Sequence, residues 1–375
     1  MNFNDFAVLA SAWLTENGEP NYNPKCDISE PNDGVINEKD LAIFADFWLT
    51  KYPCDMAYIP SGTFQMGDSF NEGGSHELPV HTVTLDSFCM GKYEVTNGQY
   101  CQYLNSAFGS SIYVSGGVVY GSGNNKPYCD TSTSNSASQI AIGRKFTVRT
   151  KGGRNMANDP MVMVSWYGAA AYCNWRSQQE GKEQCYNLST WNCDFTKKGY
   201  RLATEAEWEY AARGGLSGRR FPWGDTISQT QANFYSSTSF SYDVSPVKNI
   251  YHPLWNDGID PYTSPVGFFD GSLRNKSDFG WPGSQSSYQT TSGANGYGLY
   301  DMSGNVWEWC YDWHDSDYYD YGPTDNPTGP ASGIYRVIRG GGLGDSASAC
   351  RAASRFDEVP DDRYCFMGFR LSLDF

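Results

Sequence analysis

The residues whose types and spacing most directly suggest chemistry are oxygen donors near the start of the chain. Asp27, Asp33, Asn37 and Asp40 lie close together, and Gly34 follows the second of them. Carboxylate and amide oxygens at short spacing, with a glycine where the chain turns sharply, are typical of a calcium-binding loop. Asp27 and Asp33 are separated by more residues than in the usual loop, and an aspartate closes it where a glutamate is common. The pattern predicts a calcium site, with a plain acidic turn before a helix as the alternative.

An internal repeat surrounds this loop. A shift of 35 residues aligns residues 1–15 with residues 36–50, and apolar residues recur at helical spacing in both copies. The loop and the duplicated helix resemble the dockerin modules of secreted bacterial proteins, which bind calcium and dock on a partner module called cohesin. We therefore expect a small all-α dockerin-like helix pair in residues 1–52, followed by a second domain in residues 53–375. The resemblance implies a protein partner, either cohesin-like or a second copy of this chain.

Composition excludes several classes of function. The formal charge of -15 repels phosphate backbones and attracts divalent cations, so nucleic acid is excluded as a partner. No stretch has the roughly 18 consecutive apolar residues of a membrane span. The 11 cysteines and the polar, turn-rich composition favour a secreted, extracellular bacterial protein. The 4 histidines show no HxxxH or HExxH spacing, and GxSxG, CxxC and phosphate-loop motifs are absent from the sequence.

The elements that must position a site in the second domain are short. Segments such as MAYIPSGTFQMGD and HTVTLDSFCMGKYEVT alternate in polarity and contain glycine, which predicts strands and turns. Capping residues mark three helices: Thr96 with Gln99, Ser165, and Thr204 with Glu207 in a helix that ends at Gly214. The sequence predicts an α+β domain with much irregular structure.

Nine sequence blocks in the second domain carry a family resemblance. They are, in order, IPSGTFQMG, ELPVHTVTLDSF, YEVTNGQYCQYLN, PMVMVSWYGAAAYCNW, YRLATEAEWEYAARGG, FPWGD, NGYGLYDMSGNVWEW, RVIRGG and MGFRL. Together they resemble the sulfatase-modifying-factor family, whose best-known members are the formylglycine-generating enzymes. The resemblance covers roughly residues 55 to 375 and implies a formylglycine-generating-enzyme-type fold. Such a fold is related to C-type lectins and has little regular secondary structure.

The resemblance also bears on catalysis. In those enzymes a cysteine pair, in a segment that begins GGS, binds copper and handles the substrate thiol. Counted from the glycines, Gly342 stands here at the serine, Asp345 at the first cysteine and Cys350 at the second. Because one soft thiolate and one hard carboxylate do not make a linear copper(I) site, we expect no catalysis. The alternative is a copper-dependent formylglycine-generating oxidase acting on a sulfatase-type cysteine, in which Cys350 and either Cys365 or Cys310 rebuild the copper site.

Calcium is the cofactor that the resemblance implies for the large domain. One loop of the family that binds calcium maps onto Asp301, Gly304, Val306 and Glu308. A second maps onto Asn233, Phe234, Asp257 and Ile259. Such ions would clamp long loops that have few backbone hydrogen bonds of their own.

The segment before the C-terminus predicts a binding face. Its chemically varied residues are Asp345, Ser346, Phe356, Tyr364 and Phe366. Aromatic and acidic groups together suit a peptide or glycan ligand, and a plain solvated loop is the alternative. The resulting interpretation is a secreted calcium-binding protein whose non-catalytic large domain serves binding or self-assembly in an extracellular structure.

Disulfide pairing stays open at this level. The family bridge from Cys173 has lost its partner, since a leucine occupies that position. Cys185 and Cys193 could bond to each other or to Cys173, while Cys350 and Cys365 are candidates for a C-terminal bridge.

Overall fold

The computed structural model covers most of the large domain. It describes residues 55–256, 258 and 260–374, together with Thr15 and residues 35–37. The chain divides into two compact units, Met1–Tyr58 and Ile59–Phe375.

The predicted N-terminal module falls almost entirely outside this description. Its ligands Asp27, Asp33 and Asp40 and its helix pair lie outside the described residues, so the all-α module and its boundary at residue 52 stay predictions. Asn37 is described, and its side-chain Nδ2 donates to the carbonyl of Val35 at 3.5 Å.

Helices are few in the described part of the chain. They are α1 Asn97–Ala107, α2 Trp166–Gln179, α3 Glu205–Arg213, α4 Lys276–Phe279 and α5 Tyr318–Tyr321. None of the helices described has the length and apolar character that a bilayer crossing requires.

Capping side chains determine where the long helices begin. Thr96 accepts a hydrogen bond from the backbone N–H of Gln99, whose side chain accepts one in return from the backbone N–H of Thr96 at 2.9 Å. Thr204 and Glu207 form the same reciprocal pair at the start of α3. That helix ends at Gly214, which has a φ of 56°, a left-handed conformation that favours glycine. These predicted caps, and the one at the start of α2, are confirmed.

The strands are short and numerous. They are β1 Met56–Ile59, β2 Gly62–Met66, β3 His81–Leu85, β4 Phe88–Gly91, β5 Ile112–Ser115, β6 Val118–Gly121, β7 Pro127–Asp130, β8 Ile140–Ile142, β9 Phe146–Val148, β10 Thr150–Lys151, β11 Arg154–Asn155, β12 Tyr200–Arg201, β13 Leu273–Asn275, β14 Ser287–Gln289, β15 Trp307–Trp313, β16 Arg336–Arg339, β17 Arg355–Glu358, β18 Met367–Gly368 and β19 Ser372–Leu373.

One sheet borders the cavity that is described below as the candidate site. Its strand order is β17-β16-β15-β18, in which β15, β16 and β17 are antiparallel and β18 runs parallel to β15. Helix α3 packs against β15 and β16. Elsewhere β19 lies between β4 and β12, and two-stranded hairpins such as β2 with β3 complete the pattern. The predicted α+β domain with few helices and small sheets is confirmed.

Buried ion pairs join the long loops to this framework. The pairs are Arg201 with Glu207 and Asp374, Arg213 and Arg339 with Glu209, Arg351 with Glu77, Arg355 with Glu205, and Arg370 with Glu308. An unpaired charge in the interior is costly, so each of these buried arginines has a carboxylate partner, and most of the pairs join segments that are distant in sequence.

Candidate active site

A cavity of about 410 Å³ opens beside β15, β16 and β17. Its lining residues are Tyr251, Asp260, Tyr262, Trp307, Ile338, Leu343, Gly344, Asp345, Ala349, Phe356, Glu358, Cys365 and Phe366. Four parts of the chain form the walls: the sheet, the turn after β16, the segment just before β18, and the loop that contains Tyr251. A cavity of this size suits one side chain of a bound peptide or a small ligand.

Asp345 is held rigidly at the cavity wall. Its Oδ2 accepts hydrogen bonds from the Trp307 indole N–H at 2.7 Å and from the backbone N–H of Gly342 at 3.0 Å. Burial raises the pKa of Asp345, although the indole hydrogen bond opposes that rise. A Cβ at Gly342 would lie 3.2 Å from both Asp345 Oδ2 and the Trp307 ring, so the glycine makes room for this arrangement.

A thiol and two further carboxyl groups share the cavity. Burial and the nearby charge of Asp260 raise the pKa of the Cys365 thiol. Burial, and then the negative charge of Asp362, raise the pKa of Glu358. Both shifts favour the protonated form, so Cys365 meets a ligand as a thiol rather than as a thiolate.

Aromatic rings form the apolar part of the wall. Trp307 and Phe356 have ring centroids 5.5 Å apart, and Tyr364 and Phe366 stack at 5.2 Å with an interplanar angle of 8°. Phe356 is 56% exposed and Tyr364 is 40% exposed. Exposed rings at a cavity rim offer contact area to a ligand at little entropic cost.

The structure brings most residues of the predicted binding face together at the cavity. Asp345, Phe356 and Phe366 line the cavity, and Tyr364 stacks on Phe366. Ser346 does not line it, and its hydroxyl is hydrogen-bonded to that of Ser348 at 3.0 Å.

Cys350 does not line the cavity. It is 0% exposed and belongs to an apolar cluster with Phe221, Ile227 and Phe234. Burial raises the pKa of the Cys350 thiol well above its usual range. Cys310 is also fully buried and does not line the cavity.

The donor set does not fit the predicted copper site. Copper(I) favours thiolate ligands, and of the described cysteines only Cys365 lines the cavity. Within the described residues, no group of three or more His, Cys, Asp or Glu side chains is placed to hold a metal ion. Neither Cys350 nor Cys310 lines the cavity with Cys365, so the copper site of Cys350 with Cys365 or Cys310 stays a prediction.

Two of the acidic side chains predicted to bind calcium already accept hydrogen bonds from other groups of the protein. Both oxygens of Glu308 accept hydrogen bonds from Arg370 at 2.6 Å, and one also accepts from the Trp208 indole at 2.8 Å. Asp301 accepts a hydrogen bond from the backbone N–H of Gly267 at 2.6 Å. Burial raises the pKa of Asp301 to about 6.

A third carboxyl group near these two was missed in the sequence. Glu94 is buried and accepts a hydrogen bond from Asn305 Nδ2 at 3.1 Å. Burial, followed by the charges of Asp301 and Glu308, raises its pKa well above the usual range. It lies beside an unremarkable strand end, and no local pattern distinguishes it from an exposed glutamate.

The two predicted calcium loops meet at one place. Gly304 has a φ of 83°, and a Cβ there would lie 2.5 Å from the carbonyl oxygen of Asn233. The backbone N–H of Asn305 donates to that same carbonyl at 2.7 Å. Val306, the remaining predicted ligand of the first loop, is fully buried at the start of β15.

Asn233 carries an unsatisfied buried oxygen. Its Nδ2 donates to the carbonyl of Tyr262 at 2.8 Å, whereas its Oδ1 is buried and has no hydrogen-bond partner. The carbonyl of Phe234, predicted beside it, accepts from Gln229 Nε2 at 2.9 Å. The other two predicted ligands, Asp257 and Ile259, lie outside the described residues.

The sequence also failed to indicate several cavity residues. Trp307 belongs to the WEW block, which the family resemblance had connected with calcium only. Tyr251, Asp260 and Tyr262 come from an irregular loop without a recognisable motif. Their roles depend on a contact with a sheet that begins about fifty residues later.

Comparisons with known proteins agree on one family. Residues 49–375 match the family described as sulfatase-modifying factor enzyme 1-like domain. The formylglycine-generating enzyme of Streptomyces coelicolor is 32% identical over 344 residues, covering 84% of this chain and 88% of that protein. The formylglycine-generating enzyme of Mus musculus is 30% identical over 345 residues, covering 85% and 75%. Treponema denticola variable protein 1 has a similar structure, with a TM-score of 0.54 and 26% identity, covering 85% of this chain and 94% of that one.

These similarities correct the functional interpretation. The prediction that the large domain is a non-catalytic binding or self-assembly module is wrong, because relatives matched over most of both chains are named formylglycine-generating enzymes. That prediction rested on two substituted positions, Gly342 and Asp345. The similarity instead extends over the whole domain that shapes the cavity, which favours the oxidase alternative.

Proposed function

This chain belongs to the sulfatase-modifying factor enzyme 1-like family, and on that premise we propose that it is an oxidase of the formylglycine-generating type. It would convert a cysteine side chain of a bound peptide into formylglycine. The observation that carries this proposal is the 32% identity to a formylglycine-generating enzyme over 84% of this chain. The cavity beside β15 to β17 supports it by offering space for one peptide side chain.

The reaction replaces the carbon–sulfur bond of the substrate cysteine with a carbon–oxygen double bond and releases the sulfur as sulfide. With water as the source of the carbonyl oxygen, it removes two electrons and two protons, which dioxygen from solution accepts to give hydrogen peroxide. The described residues would bind and orient the peptide: Phe356 and Phe366 pack on its backbone, and Asp345 accepts a hydrogen bond. Because the donor set does not match a two-thiolate copper site, no step is assigned to copper.

The proposal predicts aldehyde formation on a peptide that bears a sulfatase-type cysteine. The full chain is incubated with this peptide in air, with and without added copper(I), and formylglycine is detected by mass spectrometry and hydrazide labelling. Formation of the aldehyde in either arm supports the proposal. Peptide recovered unchanged in both arms, including a case in which it binds without reacting, overturns it.

A matched pair of variants tests the location of the site. Gly344 lines the cavity, and a Cβ there would meet only the Tyr251 ring at 3.6 Å, so Gly344→Trp fits locally and fills the cavity. We expect kcat/KM to fall at least about tenfold, because the peptide loses its orientation. Gly143→Trp is the control, since a Cβ at this exposed glycine meets nothing within 4 Å. Equal activity of the two variants would place the reaction elsewhere.

We also propose a structural calcium ion at Asn233. The unpartnered Oδ1 of this buried side chain supports the proposal, since a buried oxygen without a donor is costly unless a cation or water satisfies it. The set formed by Asp301 and Glu308 is less suited, because Arg370 already neutralises Glu308.

Calcium addition to chelator-treated protein is expected to raise the melting temperature by about 5 °C at a hundredfold excess over Kd. Asn233→Ala removes the free oxygen and should abolish this calcium-dependent shift, whatever its effect on the baseline. Asn192→Ala, at an exposed position, should retain the shift. A shift that persists unchanged in Asn233→Ala contradicts the assignment.

A further inference from the structure

A second opening, a cleft of about 390 Å³, lies between α1 and α2. Both helices line it, together with the turn after α1, strand β7 and the segment after α2. The lining residues are Tyr103, Ser106, Ala107, Ser110, Ser111, Tyr128, Ala171, Asn174, Trp175, Gln178, Gln179, Gln184 and Leu188. None of these residues lines the cavity beside β15, β16 and β17, so the cleft is a separate candidate site.

The lining of the cleft is uncharged. Among the described residues, every side chain that lines it carries a hydroxyl, an amide, an aromatic ring or an aliphatic group. The whole chain, by contrast, has a formal net charge of -15. An ionised ligand would lose hydration in the cleft without gaining an ion pair from the lining. A neutral polar ligand needs only hydrogen bonds, so the chemistry of the lining favours a ligand of that class.

The rim of the cleft offers both hydrogen-bond donors and acceptors. The exposed side-chain amides of Gln178, Gln179 and Gln184 form no hydrogen bond with the described part of the chain. Each of these amides can donate and accept. The hydroxyls of Ser106 and Ser110 donate to backbone carbonyls of α1 at 3.0 Å and 2.9 Å, which leaves their oxygens as acceptors. Sugar hydroxyls, each of which donates and accepts, match this mixed set.

Aromatic rings provide the apolar part of the wall. Trp175 packs against Tyr103 with ring centroids 5.5 Å apart and against Tyr172 at 5.3 Å. Tyr103 is buried, whereas Trp175 is only partly buried. Because its neighbours fix the Trp175 ring, it offers a ligand a rigid contact surface at little entropic cost. The C–H face of a sugar ring suits such a surface.

Trp175 also has an unmet hydrogen-bonding group. Its indole N–H is buried and has no hydrogen-bond partner among the described residues. Buried donors are normally satisfied, so an acceptor is missing beside this nitrogen. A hydroxyl oxygen that enters from the cleft would supply one.

We propose that the cleft between α1 and α2 binds a short neutral saccharide. A sugar ring would lie against Trp175, and its hydroxyls would exchange hydrogen bonds with the three rim glutamines. A neutral peptide is the competing ligand, but peptides in grooves commonly pair with exposed backbone groups, whereas this rim offers side-chain amides and hydroxyls. The proposal does not rest on the proposed oxidase activity, since the cleft and the cavity share no lining residue.

The test uses the full chain and saturation-transfer difference NMR, without the cysteine peptide. The probes are cellotriose, xylotriose, mannotriose and trigalacturonic acid, each at about 10 mM, so that millimolar dissociation constants are detected. Transfer to at least one of the three neutral trisaccharides is expected. Trigalacturonic acid should show none, because its carboxylates meet no opposite charge in the cleft and the chain is acidic.

A double variant locates the bound sugar. Gln178→Ala with Gln179→Ala removes two rim amides at exposed positions of α2, where alanine favours the helix. We expect Kd for the bound trisaccharide to rise at least about tenfold, because each lost hydrogen bond weakens binding severalfold. Gln102→Ala is the matched control: it replaces an exposed glutamine of α1 that does not line the cleft, and Kd should not change.

Three results would overturn the proposal. The first is a lack of transfer to all three neutral trisaccharides. The second is the same Kd in the double variant and in Gln102→Ala, which would place the bound sugar elsewhere. The third is displacement of the sugar by a neutral peptide of glycine, serine and glutamine at equal concentration, which would make the cleft a peptide site. Aldehyde formation is not measured, so failure here is distinct from failure of the proposed oxidase.

Discussion

Replacement of Arg370 by leucine is expected to lower the free energy of unfolding by about 3–5 kcal/mol. The guanidinium is 1% exposed and donates to both oxygens of Glu308, to the carbonyl of Gly91 at 3.0 Å and to that of Tyr300 at 3.0 Å. Leucine has no donor, so one carboxylate and two carbonyls would lose their partner in the interior. Urea unfolding followed by tryptophan fluorescence measures the change.

A surface ion pair provides the matched control. Arg219 is 52% exposed and pairs with Asp225, which is 33% exposed. Arg219→Leu should cost less than about 1 kcal/mol, because water and salt screen the exposed charges. Adding Glu308→Gln to Arg370→Leu should recover part of the loss by removing the uncompensated charge. Equal losses for Arg370→Leu and Arg219→Leu would contradict this account of the buried pair.

Replacement of Asp301 by asparagine is expected to stabilise the calcium-free protein above pH 6. Burial raises the pKa of Asp301 from 3.8 to about 6, so the folded protein holds this proton more tightly than the unfolded chain does. Its ionisation therefore reduces stability progressively between pH 3.8 and about 6, by about 3 kcal/mol in all. Asparagine avoids this loss and can still accept the hydrogen bond from Gly267.

The stabilisation expected from Asp301→Asn depends on pH and on which aspartate is replaced. Asp301→Asn should match the unsubstituted protein near pH 3.5 and exceed it by up to about 3 kcal/mol at pH 7.5, measured by urea unfolding in chelator. Asp270 is the control: hydrogen bonds from Ser272 lower its pKa despite some burial, so Asp270→Asn should instead lose a little stability as pH rises. A gain for Asp301→Asn that does not vary with pH would show that the effect is not electrostatic.

Local sequence patterns predicted local structure well. The cap formed by Thr96 and Gln99 needs only residues three positions apart, so its chemistry is complete within the sequence itself. Family blocks extended this success to the α+β fold, because blocks in a conserved order imply the same arrangement of elements. Gap-free counting was less reliable: it aligned Cys350 with a catalytic position, yet the chain buries that side chain among Phe221, Ile227 and Phe234.

The sequence by itself determined the helix starts, the family and the acidic and aromatic character of the segment before the C-terminus, since each depends on residue type and short spacing. Only the tertiary structure decided which thiol reaches the cavity. Cys350 and Cys365 are equally plausible in sequence, but the turn after β16 places Cys350 in an apolar cluster, whereas the segment before β18 places Cys365 at the cavity wall. Tertiary structure likewise committed Glu308 to Arg370, sixty-two residues away. Charge pairing and burial depend on which distant segments pack together, and residue spacing along the chain does not contain that information.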